Sequence, residues 1–380
     1  MHSSNGRVDH QKKVLHIFGI LNRGGAENRT LEFMNRNKET GVVYDMLVLS
    51  GARGVLDSEF EEVIGGQIHY IKLDGSFFFK FMGLLRARKY DVVHSHVLMV
   101  SSLFLMIAWF MGVPIRIAHL RSTGSGSVPF SRRLRDFFLK RIMLIFATHI
   151  IAVSESVAQA IWGRNWTRRN KLRVIYNGFV LNPNPAVAYN RIIKIGHIGR
   201  FHESKNHVFL AEVLQAICDS NDNVVCSMTG RLDNSIYPSV VQKLKKYIDT
   251  GKIIVQGDNA NVYDMMRNLD IMITTSRWEG LPGIIIEAVS SGVPVMASGI
   301  EPNKEVARKV KGVRIVEGWD KAEWTARLTD MIAEVSSGDK RRTIDEIQES
   351  FLASPFYYDN TDQQLLSVYQ VKPVELLVTQ

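Results

Sequence analysis

The chain has 380 residues, 46% of them hydrophobic and 22% charged, so an ordinary globular protein of about two domains is expected. Two cysteines, Cys218 and Cys226, are too few for a disulfide framework and suit buried thiols in a reducing compartment. The net charge of +9 is uneven: residues 1–185 hold 25 Lys and Arg against 13 Asp and Glu, whereas residues 186–380 hold 22 against 25, so the first half is expected to face something anionic, nucleic acid or an acidic membrane.

The opening MHSSNGRVDHQKK lacks the apolar core of an export signal. The pattern then predicts strands at Lys13–Phe18, Tyr44–Ser50, Ile68–Lys72, Val92–His94, Ile115–His119, His149–Val153 and Lys171–Tyr176. Helices are expected between them at Ala26–Asn37, Phe77–Arg88, Leu98–Met111, Ser131–Phe146 and Ser154–Trp162. The uncharged run Val97–Pro114 is slightly short for a membrane span and reads as a buried helix. Asn182–Asn190 (NPNPAVAYN) has no periodicity and reads as a linker.

The βα pattern restarts after it. Strands are expected at Ile192–Ile198, Val224–Thr229, Lys252–Gln256, Ile271–Thr275, Val293–Ala297 and Val313–Val316. Helices fall at Asn206–Asp219, Ser239–Thr250, Val262–Asn268, Gly283–Ser291, Asn303–Lys309 and Asp320–Ser336. Two such series imply two similar doubly wound α/β domains, with ligands expected outside the carboxyl ends of the strands in a cleft between them. The expected division is an N-terminal domain over residues 1–185, a C-terminal domain over 191–352, and a tail helix within 353–380 returning to the first domain.

Three strand-end loops carry candidate chemistry. In the first, Gly24 and Gly25 precede a helix and let backbone N–H groups approach an anion; a tight strand–helix turn reads equally well. In the second, Arg200 and Lys205 lie five apart after a strand and can converge on one diphosphate, Arg as a planar clamp and Lys as a point charge. The third, Arg277-Trp-Glu279-Gly280-Leu-Pro-Gly283-Ile284-Ile-Ile-Glu287, puts two carboxylates eight apart around a helix start where Gly280 and Gly283 expose backbone N–H groups that, with Ile284, can meet a phosphate. A carboxylate accepts two hydroxyl hydrogen bonds, so the arrangement suits a nucleotide-sugar. Glu287 follows three isoleucines on a helix expected to be buried, where it needs a partner; a ribose diol or a salt bridge would serve. His94, His96 and His119 end strands, where histidines are commonly satisfied structural groups. The His94/His96 spacing admits a metal, but no Cys or carboxylate cluster accompanies it, so no metal is expected.

The segments RGGAE, DVVHSH, IAVSES, VIYNG, GRFHESKN and EGLPGIIIEA, in this order from about residue 13 to 370, resemble the GT-B fold glycosyltransferases of family 4, the retaining group 1 type. The resemblance implies two Rossmann-like domains facing across a cleft. It assigns Arg200 and Lys205 to the donor diphosphate, Glu287 to the ribose, Glu279 to the transferred sugar and His119 to the donor-sugar side. Gly24 and Gly25 would frame the phosphate and acceptor side. It further implies retention of anomeric configuration, no cofactor beyond the nucleotide-sugar substrate (a UDP-sugar), and a glycan or lipid-linked acceptor in polysaccharide or glycolipid assembly. The expected location is cytoplasmic, peripheral on the inner face of the cell membrane. Two departures bear on donor identity: Phe179 and Val180 replace the usual acidic residue after VIYNG, and Gly230-Arg-Leu-Asp233 replaces a G-x-G-P segment.

A nucleotide-sugar epimerase of related fold would need carboxylates and a histidine placed for proton abstraction, and the paired-glutamate loop argues against it. A non-catalytic nucleotide-binding or membrane-associated protein would be expected to have lost Arg200, Lys205 or Glu279, and all are present. Nucleic acid is disfavoured because the basic residues are not interleaved with an aromatic platform. Finally, Pro129–Thr148 places Leu134, Phe137, Phe138, Ile142 and Ile145 on one helical stripe flanked by Arg132, Arg133, Arg135, Lys140 and Arg141, the form of a helix that lies in an anionic lipid interface.

Overall fold

A computed structural model describes residues 11–122, 130–183, 192–232, 235–257 and 261–371. Most of the expected linker, residues 184–190, and Asp233 lie outside these residues. The chain divides into two compact units: Met1–Val153, Val157–Asn177 and Thr361–Gln380 in the first, Ser154–Ser156 and Gly178–Asn360 in the second.

The elements of the first half are β1 (Lys13–Phe18), α1 (Gly25–Arg36), β2 (Val43–Val48), α2 (Asp57–Glu61), β3 (Gly65–Tyr70), α3 (Phe77–Arg88), β4 (Val92–Ser95), α4 (Ser101–Phe110), β5 (Ile115–Leu120), α5 (Phe130–Phe146), β6 (His149–Ala152), α6 (Glu155–Trp162) and β7 (Leu172–Val174). The strands form one parallel sheet ordered β3-β2-β1-β4-β5-β6-β7. β1, β2, β4 and β6 are buried almost along their whole length, as strands covered on both faces must be. Chain order reverses direction between β1 and β4, which creates a switch point at their carboxyl ends.

The second half contributes β8 (Ile193–Ile198), α7 (His207–Ser220), β9 (Val224–Thr229), α8 (Tyr237–Asp249), β10 (Ile253–Gln256), α9 (Val262–Arg267), β11 (Ile271–Thr274), α10 (Gly283–Ser290), β12 (Val295–Ser298), α11 (Glu301–Ala307), β13 (Val313–Val316), α12 (Lys321–Ser337), α13 (Lys340–Leu352) and α14 (Tyr358–Tyr369). Its parallel sheet runs β10-β9-β8-β11-β12-β13, with the switch point between β8 and β11. Gly230, just past β9, is dictated by packing: a Cβ there would lie 2.0 Å from the Gly199 carbonyl oxygen at the end of β8. Cys218 and Cys226 are buried free thiols, their sulfurs 3.8 Å apart.

The final helix is built into the first sheet. Leu365, Leu366, Val368 and Tyr369 join the core with Val14, Met46 and Val92. Asp362 accepts hydrogen bonds from Arg36 Nε and Nη2 at 2.8 and 2.9 Å and from Asn37 Nδ2 at 2.9 Å.

One expectation for a helical face changes. The run 97–114 is not a wholly buried helix: α4 buries Phe104, Leu105, Ile107 and Ala108 but exposes Leu103, Trp109 and Phe110. On α5 it is Leu139 and Met143 that pack inward, whereas Leu134, Phe137, Phe138 and Ile145 of the apolar stripe are exposed, Ile145 at 66%. Lys140 is not among the free basic groups there, because its Nζ donates to the Ile161 carbonyl at 2.6 Å.

Candidate active site

In the second unit the residues of interest converge on the β8/β11 switch point. Arg200 and Lys205 follow β8, and Glu279 follows β11. The loops are laced together: the Arg277 N–H donates to the Ser204 carbonyl at 2.7 Å and Thr275 Oγ1 donates to the Lys205 carbonyl at 2.9 Å. Lys205 Nζ donates to Glu279 Oε1, which also accepts from Ser276 Oγ at 2.8 Å. Both members of this ion pair are largely buried, with side-chain exposures of 18% and 16%. All of these contacts fall on one carboxylate oxygen, so Oε2 makes no hydrogen bond to any described residue. Arg200 is exposed, and its side chain makes no hydrogen bond or ion pair with a described residue. The arrangement therefore offers an outward guanidinium, an ammonium and an open carboxylate oxygen beside one strand end.

Glu287 lies on α10 among buried Ile285, Ile286, Ala288 and Val289, yet it is itself half-buried, so the expectation of a fully buried carboxylate is corrected. Glu287 shares this intermediate exposure with Gly283 and Ile284, four and three positions before it on the same helical face, whereas Ile285 and Ile286 take the inner face. At the helix start the Gly283 N–H is already used, donating to the Leu281 carbonyl at 2.9 Å, whereas the Ile284 N–H makes no bond to a described residue. Gly283 meets the ring of Phe179 only at ordinary contact, 3.5 Å from a Cβ built there. Phe179, standing where the family pattern has an acidic residue, is buried beneath that helix start and held by the Phe356 carbonyl at 2.9 Å.

In the first unit Gly24 caps α1 with extended backbone and Gly25 is exposed. The side chain of Glu27 folds back over this turn: its carboxylate lies within 2.4 Å of where a Gly24 Cβ would stand. The helix start thus already carries an acid of its own, and burial raises the pKa of Glu27. That acid sits where the sequence reading expected an external anion.

The histidines form a single cluster that sequence spacing showed only in part. His16 on β1 pairs in register with His94 on β4, and His119 ends β5 next to it. His94 and His119 stack at 5.1 Å between centroids, and His94 and His96 at 4.3 Å. Nitrogens of His16, His94 and His96 lie within 4.8 Å of one another, close enough to hold a metal ion. They are instead engaged with each other and with Tyr369: His16 Nδ1 lies 2.9 Å from His96 Nε2, and the Tyr369 hydroxyl lies 3.2 Å from His16 Nε2 and 2.6 Å from His94 Nδ1. Burial lowers the pKa of all four histidines, that of His16 to about 3, and the Arg121 charge adds to the effect. His16, Arg121 and Tyr369 had no sequence signal beyond one polar residue inside each apolar or terminal run.

Two parallel sheets, each with a switch point flanked by polar or charged side chains, define a two-domain α/β protein with ligand sites expected at the carboxyl ends of its strands. The sequence comparison narrows the class. A model described as Glycosyltransferase Family 4 matches residues 23–182, and one described as Glycosyl transferases group 1 matches residues 192–334. The capsular polysaccharide biosynthesis glycosyltransferase CapH of Staphylococcus aureus is 33% identical over 309 residues, covering 79% of this chain and 84% of that protein. The putative glycosyltransferase EpsF of Bacillus subtilis is 25% identical, covering 76% and 79%. Among solved structures, Anabaena HepE in complex with UDP and glucose superposes with a TM-score of 0.75 at 17% identity, covering 95% of this chain and all of that one. The chain belongs to the family 4, group 1 glycosyltransferases, with the GT-B fold of two Rossmann-like domains.

Proposed function

We propose that the protein transfers a sugar from a nucleotide-diphosphate-sugar, a UDP-sugar, to a glycan or lipid-linked hydroxyl, with retention of anomeric configuration, in the assembly of a cell-surface polysaccharide or glycolipid. The observation that carries this reading is the set Arg200, Lys205 and Glu279 gathered at the β8/β11 switch point. In the reaction the bond between the anomeric carbon and the diphosphate breaks, the acceptor hydroxyl oxygen bonds to that carbon, and the hydroxyl proton leaves with the departing nucleoside diphosphate. The charge that develops on the leaving diphosphate is met by Arg200 and Lys205, so no metal is required. Lys205 would leave or share Glu279 to do this, and the freed carboxylate would accept sugar hydroxyls. Glu287 takes the ribose, and the Ile284 amide at the start of α10 faces phosphate. His119 takes the donor-sugar side by family resemblance. The name of the capsular polysaccharide relative supports the pathway class, and the UDP complex of a structural neighbour supports the nucleotide.

The decisive experiment is a donor screen by nucleotide release, run on chelator-treated protein with UDP-, GDP-, ADP- and dTDP-sugars and a lipid-linked acceptor. Turnover with a UDP-sugar is expected. Conversion of the nucleotide-sugar without acceptor would point to an epimerase, and activity recovered only on adding Mg²⁺ or Mn²⁺ would refute the metal-free reading.

We also propose that α5 and its neighbours dock on an acidic membrane, where a lipid-linked acceptor resides. No helix among the described residues is long and apolar enough to cross a membrane. The exposed rings of Phe137 and Phe138, with Ile145 and with Trp109 and Phe110 of α4, flank exposed Arg132, Arg133 and Arg141. Such a face gains both apolar burial and about 1 kcal/mol per basic residue at an anionic surface. Co-sedimentation with acidic vesicles at low salt is expected, weakening at high salt. Equal sedimentation of a variant with Arg132, Arg133 and Arg135 changed to Glu would refute it.

A further inference from the structure

The buried histidines, taken with their two polar neighbours, make one continuous chain of hydrogen bonds. It starts at Arg121, whose Nε donates to His96 Nδ1 at 3.1 Å. It continues from His96 Nε2 to His16 Nδ1 at 2.9 Å, and from His16 Nε2 to the Tyr369 oxygen at 3.2 Å. Tyr369 reaches His94 Nδ1 at 2.6 Å, and His94 Nε2 reaches His119 Nδ1 at 3.0 Å. The last atom, His119 Nε2, is buried and has no partner among the described residues.

The direction of the chain follows from its first link. An arginine has no acceptor, so His96 Nδ1 must be the bare nitrogen. A neutral imidazole carries one proton, so His96 Nε2 holds it and donates to His16. The same step repeats at His16, passes through the tyrosine hydroxyl, which accepts on one side and donates on the other, and repeats at His94. Neutrality holds because all four rings are buried, with pKa values pushed down. Arg121 is fixed at its end: Nη1 donates to Asn177 Oδ1 at 2.8 Å and Nη2 to Thr30 Oγ1 at 2.9 Å.

We infer that Arg121, His96, His16, Tyr369 and His94 are positioning residues that fix His119 as the Nε2–H tautomer and so make it a permanent neutral donor for an oxygen of the substrate, a hydroxyl or phosphoryl oxygen. The role of the substrate rests on the glycosyltransferase reading; the tautomer chain does not. An orphaned buried N–H is costly, and a ligand oxygen there is rewarded while a ligand N–H is rejected. The final helix of the chain thereby acts on the site: Tyr369 sits on α14 and forms the central link. A metal at the same three histidines would need the nitrogens that now bond one another, with a guanidinium beside it.

The test is histidine ¹⁵N NMR on the full chain at neutral pH, without substrate. His16, His94, His96 and His119 should all show a protonated Nε2 and a bare Nδ1. Tyr369→Phe cuts the chain in the middle, so His94 and His119 should become tautomer mixtures while His16 and His96, still ordered from Arg121, keep theirs. Arg121→Met should release all four. Free choice between two tautomers halves the competent population, so kcat/KM for Tyr369→Phe should fall about twofold with the melting temperature retained well above assay temperature. An Nδ1–H form at any of the four in the wild type, unchanged His94 and His119 signals in Tyr369→Phe, or stoichiometric zinc in the purified protein would each overturn the inference. Expected tautomers with no turnover on any nucleotide-sugar would leave the chain standing and remove the transferase reading instead.

Discussion

Replacing Lys205 by alanine separates catalysis from stability. The ammonium is proposed to meet the departing diphosphate, and losing one such charge-assisted contact costs roughly 2–4 kcal/mol of transition-state stabilisation, about 30- to 1000-fold in kcat/KM. The structural cost is smaller. Lys205 leaves behind one carboxylate, Glu279, which keeps its Ser276 hydrogen bond at 2.8 Å and retains some contact with water. A pair of this partial exposure is worth about 1–2 kcal/mol, which lowers the melting temperature of a domain this size by only a few degrees. Both variants Lys205→Ala and Glu279→Gln should therefore be folded at 25 °C, and steady-state nucleotide release reads the chemistry directly. Glu279→Gln should lose turnover while its affinity for free UDP stays within about threefold, since the carboxylate is assigned to the sugar. The double variant should be worse than either alone, because the two groups serve different parts of the donor. Near-wild-type kcat/KM in Lys205→Ala, or a double variant no worse than the singles, would mean that the pair merely ties two loops together and that the diphosphate assignment is wrong.

Glu287→Gln should weaken UDP binding, by about 1–2 kcal/mol in calorimetric titration, more than it slows transfer at saturating donor; unchanged UDP affinity would refute the ribose assignment. Gly230→Ala should be strongly destabilised, because its Cβ would enter the Gly199 carbonyl at 2.0 Å; a melting temperature within two or three degrees of wild type would show that the two strand ends can part. Stability should fall steadily from about pH 6.5 downward: the native state holds His16 neutral to about pH 3, the unfolded chain takes up the proton near the ordinary value, and this one ring costs roughly 2 kcal/mol between pH 7 and pH 5. The other three buried rings shift in the same direction, so urea titrations at pH 7 and pH 5 that gave equal stability would contradict a neutral cluster.

Much of the fold was legible because both sheets are parallel and covered, so the strands read as short apolar runs and the helices as the periodic stretches between them. β1, β9 and β13 fall on the expected residues. What sequence reading missed were elements with weak apolar content or fixed by contacts far along the chain. The helix α2 is five residues, DSEFE, with no apolar period to reveal it. α13 is largely polar and buries only Ile344, Ile347 and Phe351. The strand expected at Lys171–Tyr176 shrinks to three residues at the sheet edge, where only one neighbour supplies hydrogen bonds. In the site, Lys205 and Glu279 could be singled out by spacing, but that they pair through one oxygen and leave the other open could not. The histidine chain was legible only as the fragment DVVHSH, because its closing member, Tyr369, lies 275 residues from His94.

The two switch points solve different electrostatic problems with different chemistry. At β8/β11, where the proposed transfer builds charge on a leaving diphosphate, the protein keeps full charges, Arg200 exposed and Lys205 and Glu279 held as a largely buried pair. Such groups can re-partner with a ligand, because Arg200 is already solvated and Glu279 keeps one carboxylate oxygen free of hydrogen bonds to described residues. At β1/β4 the rings are sealed from water, and any charge there would have to be desolvated. The sequence places four neutral imidazoles in that space and polarises them from one cation at the end of the chain. This arrangement supplies orientation without charge: His119 presents its proton whether or not a substrate is bound, and no proton has to move for the site to be ready. It also explains why the tail helix is held so firmly to the first unit by Asp362 against Arg36 and Asn37. If α14 lifted, Tyr369 would leave with it, the link between His16 and His94 would open, and the tautomer of His119 would no longer be set.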